Sequence, residues 1–499
     1  MKLSQNYIKL ILGLKLKQLR LEKNLSLTQL AEKSGLSISY LNEIESGKKY
    51  PKSDKIAVIA QTLDVSYDKL VSLKLSKQLA PIGDLFESNI LDQLPLDHYG
   101  IDIRKFVALM SNASIQLSAL VATILEMAKS SEMSENNFSR TALRAYKEFN
   151  DNYFDEIETA VDTFVNENKI NTAPPLPYSA LAKILSEKYF YLIDEESLNS
   201  YPELNLFRGF VKSGKISTLY LNNKISESQK AFIVAKELAY NHLGYKDRSY
   251  SHSNLRLDNF DHLLNNFRAS YFATALIMRK EFIIPDLNAF FALPKWDENY
   301  LPSLIEKYNA SPEMLLQRLS NLSPKFLGLN KFFFLRFNAK EKSNSYQLSK
   351  EVRLNIRRNL GGFQSQEHYC RRWISVKVLN KLINEQKSVD ERKSITSGIL
   401  HSKFFNSNDE FLSISIAKRS QFIPDEYYSV TLGFQFDDDL KQKIAFWNDV
   451  DIPFVTVNDT CEMCKIPDCT ERTAPPSAIE KLEYAQRVET ILNKLTTEK

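Results

Sequence analysis

Residues 26–45 of the 499-residue chain read SLTQLAEKSGLSISYLNEIE, and this stretch restricts the fold more than any other. Ser26 is placed to cap a helix from about Leu27 to Lys33, because a serine oxygen accepts from an unsatisfied amide of a first helical turn. Gly35 then supplies a tight turn. Ser37 caps a further helix ending at Glu45, with Ile38, Leu41 and Ile44 at helical spacing on one face. Upstream, Leu14, Leu16, Leu19, Leu21 and Leu25 give a first helix its apolar side. Two helices joined by a short glycine turn have the geometry that lays the second in the DNA major groove. On that geometry Ser39, Tyr40 and Asn42 reach base edges, with Ser37 among the DNA-facing residues and Gln29 bracing or joining them. Lys17, Arg20, Lys48, Lys49 and Lys52 flank the groove as phosphate contacts, which set affinity rather than sequence choice. The alternative is a helical dimerisation module with a solvated basic face.

Charge supports the DNA reading. Residues 1–80 carry 14 Lys+Arg against 7 Asp+Glu, a net +7, whereas the whole chain is +4 and the remainder is therefore −3. A basic segment fused to a near-neutral body implies a polyanionic partner for that segment alone. The stretch LTQLAEKSGLSISYLNEIESGKKYP also resembles the helix-turn-helix domain of the xenobiotic-response-element class of bacterial regulators. That resemblance implies a double-stranded operator as partner.

A chain of this length is expected to form two to four domains. Its 43% hydrophobic and 25% charged residues are those of a folded soluble protein, and its 13 glycines exclude a collagen-like architecture. No apolar run approaches the roughly 18–20 residues needed to span a bilayer, and the N-terminal apolar patch lacks a cleavage site, so a cytoplasmic protein without membrane partners is expected. Four regions are expected: a helix-turn-helix domain over 1–75, a helical linker or dimerisation region over 76–170 that includes FVALMSNASIQLSALVATILEMAK, a further domain over 171–300 whose start is marked by Pro174, Pro175 and Pro177, and a C-terminal domain over 301–499.

The third of these reads strand, strand, helix, helix: KYFYLID, LFRGFV and KISTLYLN lead into SESQKAFIVAKELAYNHLGY and NNFRASYFATALIM. The order resembles the ImmA/IrrE-like metallopeptidase domain, whose first helix carries His-Glu-x-x-His so that two imidazoles share a zinc ion while the glutamate activates water. Here KELAY puts Lys236 and Tyr240 at the two histidine positions and keeps only Glu237, while His242 nearby reads as structural. An ammonium does not ligate zinc at neutral pH, so the expectation is a degenerate, non-enzymatic domain. A cavity of that kind with a fixed cation suits an anionic ligand. The rival is an active metallopeptidase fused to a helix-turn-helix domain.

CEMCKIPDCTERTAPP, residues 461–476, holds three of the chain's four cysteines. Three thiolates on a short loop can hold an iron–sulfur cluster or most of a tetrahedral zinc site, and reduced unmetallated thiols are the third possibility. QRLSNL, KFFFLRFNAK, GG…CRRW and CEMCKIPDCTERTAPP, in that order, resemble the short-chain fatty acyl family of transcriptional regulators. The resemblance implies a [4Fe-4S] cluster on Cys461, Cys464, Cys469 and Cys370, with zinc as the alternative. It implies a short-chain acyl-CoA as ligand, for which Arg208, Lys236 and Tyr271 are the candidate contacts. A regulator with no small-molecule ligand, carrying a structural zinc, stays open beside it. The expected whole is multidomain and mainly α: an all-α helix-turn-helix domain, a degenerate zincin-like α+β domain and a C-terminal α+β sensor domain with a metal or cluster site, assembled as a homodimer.

Overall fold

The computed structural model describes residues 5–72, 102, 105, 135–245, 260–341, 345–356, 368–385, 394–405, 407, 409–420, 422, 423 and 425–497. Most of the expected linker, including residues 106–129, lies outside the described residues, as do the two glycines of the GG…CRRW motif. The chain divides into two compact units, Met1–Leu143 with Arg256–Leu263, and Arg144–Leu255 with Leu264–Lys499.

In the first unit, helices α1 (Gln5–Glu22), α2 (Leu27–Ser34), α3 (Ile38–Glu45), α4 (Ser53–Thr62) and α5 (Tyr67–Val71) follow one another. Ser26 caps α2 in a reciprocal capping box with Gln29, and Ser37 caps α3 by accepting from the Tyr40 amide. Gly35 ends α2 at φ +67, a left-handed value that glycine adopts without penalty. Leu16, Leu19, Leu30, Leu41, Ile44, Ile56 and Ile59 close around one core. Gly13 lets α1 meet the end of α3, since a Cβ there would stand 2.4 Å from the Ile44 carbonyl oxygen. Two residues expected in this core face solvent instead: Leu21 is 54% and Ile38 47% exposed. Leu21 lies in the last turn of α1, two residues and so about 200° round the helix from buried Leu19, and Ile38 is the first residue of α3.

The second unit contains α6 from Arg144 onward (Glu135–Phe149 in full), α7 (Asp155–Asn168) and α8 (Tyr178–Tyr189). A small sheet follows, ordered β1 (Leu192–Asp194), β3 (Thr218–Leu221), β2 (Gly209–Lys212), with β1 parallel and β2 antiparallel to β3. Strand β1 is shorter than KYFYLID suggested, since Lys188 and Tyr189 finish α8. Helices α9 (Glu227–His242), α10 (Phe260–Ile277), α11 (Lys280–Phe291), α12 (Tyr300–Lys307) and α13 (Pro312–Leu322) come next. Ser311 caps α13 by accepting from the Met314 amide, and Pro312 opens the helix. A fully buried ion pair fixes these helices: Arg318 on α13 donates twice to Glu158 on α7, at 2.5 and 3.1 Å, and once to the Met278 carbonyl at 3.0 Å.

The C-terminal sheet is ordered β5 (Tyr346–Leu354), β4 (Phe332–Lys340), β8 (Glu426–Gln435), β7 (Glu410–Arg419), β6 (Ile395–Phe404), β9 (Phe454–Val457), antiparallel except for β6 with β9. Alternation along β4 divides the two faces. Phe333, Leu335 and Phe337 pack with α14 (Ile374–Glu385), whereas Arg336 turns toward α13. The final helix is α15 (Ser477–Thr497).

Candidate functional site

Helix α3 buries Leu41 and Ile44 and leaves Ser39 and Asn42 exposed, so the residues expected at base edges face out. Tyr40 is half-buried against the core, with the Lys49 ammonium 4.8 Å from its ring centre. Ile38, which was assigned to the core, joins the exposed face and offers an apolar contact of the kind a thymine methyl takes. Lys48, Lys49 and Lys52 are exposed, and Lys49 pairs loosely with Glu43 at 3.4 Å. Lys17 is half-buried. The Gln29 side-chain oxygen accepts from the Ser26 amide at 2.8 Å, so its capping role is structural while its side chain stays exposed.

Arg20 is a correction. It is 9% exposed and bonds Glu45 through Nε at 2.7 Å and Nη2 at 2.9 Å, with Nη1 on the Leu25 carbonyl at 2.8 Å. The guanidinium clamps α1 to the end of α3 and has no fork left for phosphate. The Glu45 hydrogen bond holds its proton more tightly than usual.

Helix α9 places Lys236 and Glu237 where the metallopeptidase motif would stand. Lys236 bonds Asn266 on α10, and burial pushes its ammonium down to about 8, with Glu237 opposing. Glu237 is buried and accepts from the Tyr191 hydroxyl at 2.7 Å. His242 packs edge-on against Phe164 and tilted against Phe272, a structural role. The structure does not gather the three residues expected at the ligand. Tyr271 is 1% exposed, and its hydroxyl donates to Glu158 at 3.0 Å inside the Arg318 pair, which removes it as a ligand contact. Arg208 precedes β2 rather than lying within it, and its electrostatic neighbours are Arg336, Glu313, Tyr428 and Glu426, not Lys236.

Around Arg208 the structure shows a constellation that sequence reasoning missed. Lys350 on β5 lies opposite Arg336 on β4, two cations in register across the ladder. Glu313 on α13 takes Lys350 at 3.0 Å and Arg336 at 3.5 Å. Burial works to raise the Glu313 carboxyl, but Lys350, Arg336 and Arg208 outweigh it and hold it near about 2. Burial, then Lys350 and Arg144, push the Lys147 ammonium down to about 7. Arg144 reaches Glu351 only at 3.8 Å, and Glu351 is shared with Arg353. Thus Arg144, Lys147, Arg208, Arg336 and Lys350 outnumber Glu313, Glu351 and Glu426. Among the described residues, the Nε atoms of Arg144 and Arg336 are buried with no hydrogen-bond partner. Arg208 remains exposed at the edge of the group. An excess of crowded cations with idle donors suits a multiply charged anion. An apolar cavity lined by Phe333, Leu335, Trp373, Leu400 and Phe404 lies on the sheet's other face and does not continue this group.

The cysteines converge. Cys370, Cys461, Cys464 and Cys469 line one cleft with Arg371, Arg372 and Arg472. A bridge between Tyr369 and Thr460 brings the two segments together, and the Cys370 amide donates to the Asp459 carbonyl at 3.0 Å. Arg472 fastens the loop, donating to the carbonyls of Cys461, Cys464 and Ile466 at 3.3, 3.1 and 2.9 Å. Burial raises the Cys370 thiol to about 11. Among the described residues, no group of three or more His, Cys, Asp or Glu is arranged to hold a single metal ion.

Residues 16–70 match the family model described as helix-turn-helix, and residues 199–320 match the IrrE N-terminal-like domain. No curated protein matches the chain significantly. Among solved structures the chain is similar to a Mycobacterium tuberculosis transcriptional regulator, 15% identical over 66% of this chain and 92% of that one, with a TM-score of 0.46. No described helix is long and apolar enough to cross a membrane. The chain carries a helix-turn-helix DNA-binding domain, an IrrE-like domain and a sheet-rich C-terminal region.

Proposed function

We propose that this chain is a transcriptional regulator that reads operator DNA through α3 and whose hold on DNA is set by an anionic metabolite, with short-chain acyl-CoA the class implied by the family resemblance. The observation that carries the reading is α3 itself: Ser39 and Asn42 stand exposed on a helix whose other side is sealed by Leu41 and Ile44. Support for the anion comes from the cation excess around Glu313. A CoA thioester carries several phosphate charges and needs such a group more than it needs a single lysine. Arg208 is retained from the expected ligand set, with Arg336, Lys350, Lys147 and Arg144 taking the places of Lys236 and Tyr271.

The reading is non-enzymatic. Lys236 and Tyr240 stand at the would-be zinc positions, and the retained Glu237 is bound by Tyr191. The four thiols line one cleft, and on the family resemblance we assign them a [4Fe-4S] cluster, with zinc as the alternative. Cys370, Cys461, Cys464 and Cys469 would hold it, and it would supply a charge that responds to redox or iron state. Arg472 holds the loop carbonyls so that the thiols face the cleft. Calorimetry with acetyl-, propionyl- and longer acyl-CoA on wild type and Arg336→Gln tests the ligand. Binding that the substitution leaves unchanged removes the Glu313 group from the site.

A further inference from the structure

Helix α6 is pinned along one side and at its end, and held loosely along the other side. Tyr146 is buried, its ring stacks on Phe154 at 5.6 Å and its hydroxyl accepts from Arg268 at 2.9 Å. Beyond the helix the chain turns through Asp151 and Asn152, both at positive φ. Asn152 is tied to α13, since its side-chain amide donates to the Ser320 hydroxyl at 3.2 Å and its carbonyl accepts from Asn321 at 2.9 Å. Arg144 and Lys147, three residues apart, share the face turned away from Tyr146.

The cations around Glu313 are not equally satisfied. Lys350 on β5 has Glu313 at 3.0 Å and Gln317 at 2.8 Å, and Arg336 on β4 shares Glu313 at 3.5 Å. The two on α6 have less. Arg144 reaches Glu351 only at 3.8 Å, and its buried Nε has no hydrogen-bond partner among the described residues. The charges acting on Lys147 are those of Lys350 and Arg144, both of like sign. A multiply charged anion held in this group therefore gains most from the cations of α6 and draws that flank of the helix toward β4 and β5. A ligand shifts an equilibrium only by what it gains in one state over the other, and these two side chains supply the difference. Glu135–Leu143 of α6 belong to the first unit and Arg144–Phe149 to the second. We propose that α6 is the lever of the regulator: an anion bound at the Glu313 group fixes its last turns, and the continuous helix passes that change into the chain leading to the DNA-binding domain.

The proposal rests on the anionic-metabolite reading, and its test separates the two. Hydrogen exchange of the full chain with saturating propionyl-CoA should protect the α6 amides by about 10-fold. Thr141 is exposed on α6, and a proline there breaks the helix upstream of Arg144 while serving as the first residue of what remains. Thr141→Pro should bind propionyl-CoA within about 3-fold of wild type by calorimetry, yet its affinity for an operator duplex selected by the full chain should change less than about 2-fold on adding the thioester, against about 5- to 150-fold in wild type and in Thr141→Ala. Propionyl-CoA that binds but leaves the α6 amides unprotected, or a Thr141→Pro chain with the full DNA response, overturns the lever and leaves the anion site standing. A wild type that binds no propionyl-CoA overturns the anion reading and the lever with it.

Discussion

Replacing Arg20 should loosen the fold of the first unit without touching its electrostatic grip on DNA. The Arg20 and Glu45 side chains are 10% and 8% exposed and joined by two short bonds. Breaking a buried pair by removing one partner costs about 3–5 kcal/mol, because the other charge is left without its counter-ion. The pair lies near the molecular surface, so the lower figure, about 3 kcal/mol, applies, and loss of the Leu25 contact is included in it. A domain of this size has roughly 3–10 kcal/mol in total, so most of its margin disappears. Hydrogen exchange on the full chain measures this directly. In Arg20→Ala, amides of α1 and α3 should lose protection by roughly 10²-fold, with the C-terminal sheet as unchanged internal control. Arg20→Met combined with Glu45→Leu should recover much of the loss, since an apolar pair of similar size can replace a buried ion pair. In the remaining folded fraction, the slope of log affinity against log salt should match wild type. A slope reduced by about one, with exchange unaltered, would mean that Arg20 contacts phosphate after all.

Lys49→Ala should weaken binding to specific and random duplexes alike and flatten the salt slope, while Asn42→Ala should relax sequence choice by about 1–3 kcal/mol at one position; equal behaviour of the two variants counts against the docking. Lys147, held near about 7 against an ordinary 10.5, is largely neutral just above that value. A polyanion bound beside it must raise its pKa, so acyl-CoA binding should take up as much as one proton near pH 8 and weaken as pH rises; calorimetry in buffers of different ionisation enthalpy shows this, and Lys147→Met should abolish it. Without ligand the sign is fixed the other way: between about 7 and 10.5 the unfolded chain holds more protons, so stability rises with pH across that window. Protein purified without oxygen should be brown, contain iron and sulfide and bleach in air, and Cys464→Ser should lose the colour; stoichiometric zinc with no visible absorption refutes the cluster.

Much of the fold was legible where local chemistry decides it. Ser26, Ser37 and Ser311 cap helices because hydroxyl geometry is a short-range matter, and Gly35 turns the chain for the same reason. The meeting of Cys370 with the distant cysteine loop was readable only through family resemblance, since nothing local specifies the Tyr369–Thr460 bridge. Arg20 was misread because the sequence shows a cation near a DNA-facing helix but not the carboxylate 25 residues on that claims it. Tyr271 was misread likewise, its hydroxyl taken by Glu158, which stands 113 residues away in sequence. The Glu313 cations were invisible for the complementary reason. Arg144, Arg336 and Lys350 come from three separate elements and Arg208 from the turn before β2, and only folding makes their crowding apparent.

The central claim is that one molecule both reads DNA and senses an anion. Operator duplexes selected by the full chain from a random-sequence pool should share a motif, and fluorescence anisotropy on that motif with and without propionyl-CoA tests both halves together. The account predicts an affinity change of about 5- to 150-fold in wild type and little or none in Arg336→Gln. Failure to enrich any motif, or a wild-type affinity indifferent to acyl-CoA, would contradict it.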